Sequence, residues 1–446
     1  MKSVHRFASL IIFALLAGCS QGHSETGAGQ DTGPTPVLVQ PKSSLIPTVD
    51  IAPAVGWPAN GKPAAAPGFA VNAFASGLDH PRTVHVLPNG DVLVAETNAP
   101  PKPDDARGIK GAVIKSVMKK AGAGVPSANR ITLLRDADGD GVAETRSVFL
   151  QNLNSPFGIA LVDDTLYVAN TDAVVRFPYR TGETAIAAAP VKVVDLPAGS
   201  INHHWTKSLV ASADGKHLYV GVGSNSNVGE NGIDNETDRA AVLEIDPAAG
   251  TRRVFASGLR NPTALAWQPE DGRLWAVVNE RDELGNDLVP DYLTSVREGA
   301  FYGFPYSYYG RHVDRRVKPQ DPAKVASAIA PDYALGSHVA ALGLAFYTGD
   351  ALPPRFHNGA FIGLHGSWNR KPLSGYKVVF VPFEQGRPSG PIETVLDGFL
   401  NAKGEAQGRP VGVAQDGRGA VLVADDVGNT IWRLSPANPA TAPLSP

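Results

Sequence analysis

The chain has one cysteine and two methionines in 446 residues. A lone cysteine forms no internal disulfide and excludes thiolate metal clusters and covalent haem attachment. There is no G-x-x-x-x-G-K-[ST] phosphate loop, no G-x-S-x-G elbow and no H-E-x-x-H helix, and nothing suggests a nicotinamide-binding unit. Neither charge sign is in excess. Forty Lys and Arg stand against 43 Asp and Glu, a net charge of -3, with no basic stripe for nucleic acid and no massed acids. Helical periodicity is also scarce, the one candidate being IKGAVIKSVMKK at 109–120.

The N-terminus is built for export. Lys2 and Arg6 precede the apolar run FASLIIFALLAG, which is too short to span a bilayer of ~20 apolar residues. The run ends Leu16-Ala17-Gly18-Cys19, which resembles a bacterial lipobox. Residues 1–18 are therefore expected as a lipoprotein signal peptide, with Cys19 carrying the lipid. Ser20 leans the destination towards the outer membrane, with the protein facing the periplasm. From 19 to 68 Pro, Gly, Ala and Ser dominate without a hydrophobic period, the pattern of a disordered tether. The folded region is expected at 69–436, followed by a flexible tail at 437–446.

Six internal repeats define the architecture. They read HPRTVHVLPNGDVLVAET, SPFGIALVDDTLYVAN, HHWTKSLVASADGKHLYVGVG, NPTALAWQPEDGRLWAVVNE, ALGLAFYTGDALPPRFHNGAFIGLHG and RPVGVAQDGRGAVLVADD. Each has a polar or Pro-containing lead, a β-prone strand, a turn and a second β-prone strand; the fifth expands its turn into a loop. Asn89-Gly90, Asp214-Gly215, Asp271-Gly272 and Asp416-Gly417 are hairpin-type turns. The spacing predicts an all-β, six-bladed β-propeller of four-stranded antiparallel blades. Seven blades with one degenerate unit, or two stacked sandwiches, remain alternatives.

A propeller brings equivalent leads together at one mouth. These leads are His80-Pro81-Arg82, Asn154-Ser155-Pro156, His203-His204, Arg260-Asn261-Pro262, Leu342-Gly343 and Gly408-Arg409-Pro410. Histidines, arginines and an amide converging there suit a polyanionic ligand. Alone, each has a plain reading as a solvated turn residue.

The segments HHWTKSLVASADGKHLYVGVG, SGLRNPTALAWQPEDGRLWAVVNERDELGNDLVPDYL and REGAFYGFPYSYYG resemble the pyrroloquinoline-quinone-dependent glucose/sorbosone dehydrogenase family, most closely its sorbosone dehydrogenase branch. The resemblance covers most of 70–435. It implies a six-bladed propeller that binds pyrroloquinoline quinone and Ca²⁺ and oxidises a sugar; the electron acceptor, a quinone or a cytochrome, is not named by the sequence.

It also implies roles for individual residues. His204 falls where the family places the base that takes the substrate's hydroxyl proton, suiting an imidazole whose ordinary pKa is ~6.5. His203 stands where many relatives carry an acid that orients the base, and supplies no fixed negative charge there. Arg260 and Asn261 match the pair beside the quinone. Arg409 resembles an arginine that pairs with a cofactor carboxylate. In GLHGSWNRKP, Arg370 is the best cation for a lysine-like contact, with Ser367, Trp368 and Asn369 as other registers, and Asn154 matches a cofactor-contacting amide. The resemblance implies Ca²⁺ ligation, partly by backbone carbonyls, in the loop NERDELGNDLVP with Asp282, Glu283 and Asp287; relatives often have Gly-Pro where Asp282-Glu283 stands, side-chain ligation stays open, and solvated loop acids are the alternative.

Two features compete for attention. RDADGDGVAE at 135–144 begins like an EF-hand loop but has Ser147 at the twelfth position and strand-like flanks, so a turn between blade strands is expected. Phe301, Tyr302, Phe304, Tyr306, Tyr308 and Tyr309 are either strand packing or a wall for sugar rings. The other function classes are a Ca²⁺-dependent lactonase-type propeller and a non-enzymatic binding propeller.

Overall fold

Each sequence repeat supplies the two inner strands of one antiparallel sheet, and six such sheets stand around an axis. The computed structural model of the chain describes residues 30–42, 48–101 and 116–437. Blade 1 contains Pro81–Val86, Val92–Glu96, Arg130–Arg135 and Thr145–Leu150; blade 2 contains Gly158–Val162, Thr165–Ala169, Ala173–Pro178 and Val191–Asp195. Blade 3 is Lys207–Ala211, Leu218–Val222, Ala241–Asp246 and Thr251–Ser257; blade 4 is Pro262–Trp267, Leu274–Val278, Pro290–Ser295 and Tyr333–Ser337. Ala341–Phe346, Gly359–Leu364, Lys377–Glu384 and Glu393–Asp397 form blade 5. Blade 6 joins Pro410–Gln415, Val421–Asp425 and Thr430–Pro436 to Phe69–Ser76 from the other end of the chain. This last pairing, from Thr430 with Ser76 to Pro436 with Phe69, closes the ring with hydrogen bonds. The protein is an all-β, six-bladed propeller with four-stranded antiparallel blades.

Second strands such as VLVAE, LYVGV, LWAVV and VLVAD are buried along their whole length, which explains their nearly unbroken apolar sequence. Apolar side chains fill the seams between blades. Trp275, Phe346 and Phe383 meet edge to face between blades 4 and 5. Phe361, Phe380 and Trp432 belong to the seam between blades 5 and 6. Burying one such ring stabilises the fold by ~1.5–3 kcal/mol. The innermost strands approach closely at the axis. A Cβ on Gly343 would collide with the Val411 carbonyl, and one on Gly412 with that of Arg82. Only glycine permits that approach.

The tight turns form as expected at Gly90, Gly215 and Gly272, each with positive φ. In the sixth repeat it is Gly419, not Gly417, that takes the positive φ. RDADGDGVAE is indeed a turn between two strands of blade 1. There Asp136, Asp138, Asp140 and the displaced Glu144 bring carboxylate oxygens within 4.8 Å of one another, although Arg418 already pairs with Asp136. Of the candidate helix at 109–120, the described part, 116–120, is helical.

One expectation is corrected, and one open choice is decided. The region read as a disordered tether is, in its described part, a strap along the propeller. Thr32–Gly33 adds a strand to blade 4 and Ala64–Ala65 adds one to blade 5. Between them Ala52 is buried and the Trp57 indole donates to Asp425 Oδ2 at 2.7 Å. Composition concealed this, because a strap held by backbone pairing needs no side-chain period. The signal peptide at 1–18, Cys19 and the residues from 438 lie outside the described residues. The aromatic set, in turn, is packing rather than a sugar wall. Tyr302, Tyr308 and Tyr309 belong to the core, and Arg281 lies over Phe304 and Tyr308.

Candidate active site

In every blade the innermost strand starts at the same mouth of the ring and the second strand returns to it. Two sets of residues therefore converge there, the leads of the first strands and the ends of the second. Bulges sharpen the aim of some. Arg82 is the extra residue between the pairs Pro81–Glu96 and Thr83–Ala95, and the register slips likewise at the start of blades 4, 5 and 6.

His204 precedes the first strand of blade 3, and Ser224 follows the second. The Nδ1 of His204 lies 2.7 Å from the Ser224 carbonyl oxygen and 3.1 Å from its Oγ. A carbonyl only accepts, so Nδ1 carries the hydrogen and Nε2 keeps the lone pair. Burial, reinforced by the neighbouring Arg260 guanidinium, holds the imidazole well below its ordinary pKa of 6.5. His204 is thus a neutral base with a defined tautomer. Gly223 makes the arrangement possible, because a Cβ there would collide with both His204 Cβ and Asn261 Oδ1.

Arg260 is buried and held by Asn227 O at 3.0 Å, Glu280 O at 2.7 Å and Asn227 Oδ1 at 3.1 Å. The amino group that donates to Asn227 Oδ1 also lies 3.8 Å from Asp282 Oδ2. Beside it, the buried Asn261 Oδ1 has no hydrogen-bond partner among the described residues. An orphaned acceptor of this kind is costly and marks a place where a donor belongs.

The side chains of the acidic loop have separate partners. Asp282 accepts from Asn369 Nδ2 at 2.7 Å and faces His338 Nδ1 at 3.5 Å. Burial would raise its pKa, but His338 and Arg260 outweigh that and hold it low, while His338 itself is raised. Glu283 is exposed, and Asp287 pairs with Arg370 at 2.7 Å. The Asp282 carbonyl accepts from Arg316 at 2.9 Å. The three acids point to three different partners, so a Ca²⁺ site made of their side chains is not supported.

Arg409 reaches the mouth from the lead of blade 6. It is buried over the Tyr376 ring and donates to the Ala52 carbonyl of the strap at 3.2 Å. Arg82 and Arg370 each have a carboxylate, from Asp426 and Asp287, whereas Arg409 has none among the described residues. The buried Nε groups of Arg82, Arg370 and Arg409 also lack partners among the described residues. One uncompensated guanidinium and three uncommitted N–H groups around the mouth fit a planar polycarboxylate such as pyrroloquinoline quinone.

His203 and Asn154 stand apart from these arginines. Both line a cavity of about 340 Å³ between the leads of blades 2 and 3. The chain therefore brings His204, Arg260, Asn261 and Asp282 together, places Arg370 and Arg409 on the rim, and puts Asn154 and His203 in an adjoining chamber.

Several site residues escaped sequence reading. Asp426 binds His365 Nε2 at 3.0 Å and Arg82 at 2.6 Å, and its main-chain oxygen lies 3.0 Å from His80 Nδ1. Burial opposes its charge, but His365, His80 and Arg82 outweigh it and push its pKa far down; burial lowers His365 to about 4. Asp426 and His365 end second strands, a set that a search of leads alone passes over. His338 does lie in a lead. The first strand of blade 5 starts at Ala341, so its lead is His338–Ala340 rather than Leu342-Gly343.

Fold and site together define a propeller with a neutral imidazole beside an arginine-rich mouth. The family described as Glucose / Sorbosone dehydrogenase matches residues 160–369, and a TrAA12-like family matches 311–437. The resemblance read from the sequence is thus borne out for that family, without its sorbosone branch being singled out. An uncharacterised protein of Borreliella burgdorferi is 28% identical over 305 residues, covering 66% of this chain and 79% of that protein. The pyrroloquinoline quinone-dependent pyranose dehydrogenase of Coprinopsis cinerea is 23% identical over 82% of this chain, which spans only 54% of that enzyme's length. The structure of the holo PQQ domain of that pyranose dehydrogenase has a TM-score of 0.66 at 20% identity, covering 84% of this chain and 97% of the domain, a likeness of fold.

Proposed function

We propose that the protein is a quinoprotein dehydrogenase that oxidises a sugar hydroxyl or hydrated aldehyde, with His204 as general base. The observation that carries this reading is the locked His204 tautomer, with its Nε2 lone pair uncommitted beside Arg260 and Asn261. Pyrroloquinoline quinone, when bound, supplies the acceptor for the hydrogen that leaves carbon as hydride. Arg260, Asn261, Arg409 and the uncommitted N–H groups of Arg82 and Arg370 are the residues that would hold it.

His204 Nε2 takes the hydroxyl proton as the carbon–hydrogen bond weakens. The Ser224 carbonyl keeps the ring oriented and stabilises the cation it becomes. The fixed guanidinium of Arg260 keeps the base neutral before substrate arrives and favours negative charge developing nearby. Asp282 balances that guanidinium from 3.8 Å. No step is assigned to calcium.

The expected Cys19 lipid anchor belongs to the same proposal. It would hold the protein at a periplasm-facing membrane surface, near a quinone or cytochrome that accepts the electrons. Labelling with a fatty-acid probe that is lost in Cys19→Ser supports it; unchanged labelling contradicts it.

The function is tested by titrating the purified chain with pyrroloquinoline quinone, with and without Ca²⁺, while dye reduction is followed with aldoses and sorbosone. Saturable quinone binding and sugar-driven reduction are expected. A chain that binds no quinone would leave the lactonase or binding-propeller readings in place.

A further inference from the structure

The rim of the mouth is not uniform. Val49 and Val55 of the strap, Met118 and Val125 of the segment that leaves the second strand of blade 1, and Trp368 after the second strand of blade 5 are all exposed. Backbone hydrogen bonds bring them to one side. Asp50 N donates to the Trp368 carbonyl at 2.9 Å, Ala54 N to the Lys120 carbonyl at 2.9 Å and Val55 N to the Ala406 carbonyl at 2.8 Å. Elsewhere the exposed large apolar side chains among the described residues are scattered valines. An apolar patch gathered on one face marks a contact surface. Its charge is also one-sided. Lys119 and Lys120 follow Met118, Lys371 lies close after Trp368, and Lys403 stands in the loop between blades 5 and 6; all four are exposed. Across the ring, blade 3 exposes Glu230 and Asp234 and blade 4 exposes Glu283. The mouth is thus apolar and basic over blades 5, 6 and 1, and acidic over blades 3 and 4.

The strap enters at this same mouth. Gln30 is eleven residues after Cys19, and an extended chain of that length reaches at most ~40 Å. Next to Gln30, Asp31 Oδ2 accepts from Ser337 N at 2.8 Å, where the outermost strand of blade 4 returns to the mouth. A lipid on Cys19 therefore pulls on the rim of the mouth and not on the far end of the blades. The strap then carries Val49 and Val55 across the rim towards blades 5, 6 and 1.

We propose that the side of the mouth formed by blades 5, 6 and 1 docks on an anionic phospholipid bilayer. Its apolar side chains, led by Trp368, enter the headgroup boundary, where indoles are favoured, and its lysines meet the phosphates. The inference rests on the Cys19 anchor proposed above and adds the face that the anchor presents. The acidic side of the mouth, with the cavity between the leads of blades 2 and 3, then faces water and stays open to a soluble sugar.

The test follows tryptophan emission of the full-length protein on vesicles of phosphatidylethanolamine and phosphatidylglycerol with brominated acyl chains. Of the six tryptophans only Trp368 is exposed, so quenching reports this face. Bromolipid is expected to quench the wild type, and Trp368→Phe to lose most of that quenching. Lys119→Glu combined with Lys120→Glu should reduce it at least about 2-fold with the thermal midpoint unchanged. Absence of quenching, or quenching that persists in either variant, overturns the proposal. If Cys19→Ser takes up the fatty-acid probe like the wild type, the anchor reading fails, and co-sedimentation with preformed vesicles of the same lipids judges the surface by itself. Partition that falls at least about 10-fold in the double lysine variant supports docking. Protein that stays in the supernatant, or pellets equally in both forms, overturns it.

Discussion

Arg239 holds the backbone of His204. Its guanidinium donates to the His204 carbonyl at 3.2 Å, to Asn202 Oδ1 at 3.0 Å and to the Pro197 carbonyl at 2.9 Å. One buried cation therefore pins both ends of the loop that carries the base, and burial lowers its own pKa to about 10 without discharging it near neutrality. Arg239→Met should displace the base and lower kcat by about 10²-fold, while quinone affinity stays within a few-fold. Steady-state kinetics with a parallel quinone titration separates the two effects. Equal loss of kcat and quinone affinity would mean general disruption instead.

Gly223 is the second point of leverage. Alanine there would push His204 and Asn261 apart, since its Cβ would collide with both. Gly223→Ala is expected to abolish sugar oxidation and weaken quinone binding while the thermal midpoint falls only modestly. Thermal melts beside activity assays decide this.

Acid should destabilise the protein over a defined range. His365 is lowered from 6.5 to about 4 in the folded state, so between those values the unfolded chain binds the proton and the folded chain does not. Stability is therefore present above pH 6.5 and is lost as pH falls towards 4, by an amount on the order of 3 kcal/mol for this group. Asp426, held far below its ordinary value, acts in the same direction at still lower pH. His365→Gln should flatten the dependence of the thermal midpoint between pH 6.5 and 4. For activity the sign is similar. Because His204 is held well below 6.5, kcat/KM should stay level as pH drops through 6.5, where an ordinary histidine would lose half its activity.

The strap should matter to the site. Trp57 and Trp432 both donate to Asp425 Oδ2, while Asp425 Oδ1 accepts from the backbone N–H groups of Arg409 and Gly428. Trp57→Ala should cost about 2–4 kcal/mol of stability through the lost ring contacts and hydrogen bond. It should also loosen quinone binding through Arg409. A chain starting at residue 69 should behave worse than Trp57→Ala, and one starting at 30 should match the full protein. Chemical denaturation and quinone titration read both effects.

Much of this architecture is legible in the sequence because a propeller repeats its own grammar. LPNGDVL, ADGKHLYV and EDGRLWAVV each pair a turn with a buried second strand, and the leads place His204, Arg260 and Arg409 in equivalent positions. What was not legible has a common physical cause, long-range pairing without local periodicity. Asp426 meets His80 and Arg82 across some 340 residues of chain, and the strap binds through backbone groups that composition does not reveal. The partners of the acidic loop are hidden from the sequence for a related reason. Its carboxylates are close in sequence, but Arg260, Arg370 and Arg316 arrive from other segments and draw them apart.

The most direct test of the account is a single-turnover measurement on quinone-loaded wild type and His204→Ala, following reduction of the bound quinone after mixing with sugar. Quinone affinity should be equal within a few-fold, and reduction should be slower in H204A by about 10²–10⁴-fold. Reduction of the variant at the wild-type rate would contradict the assignment of His204 as the base.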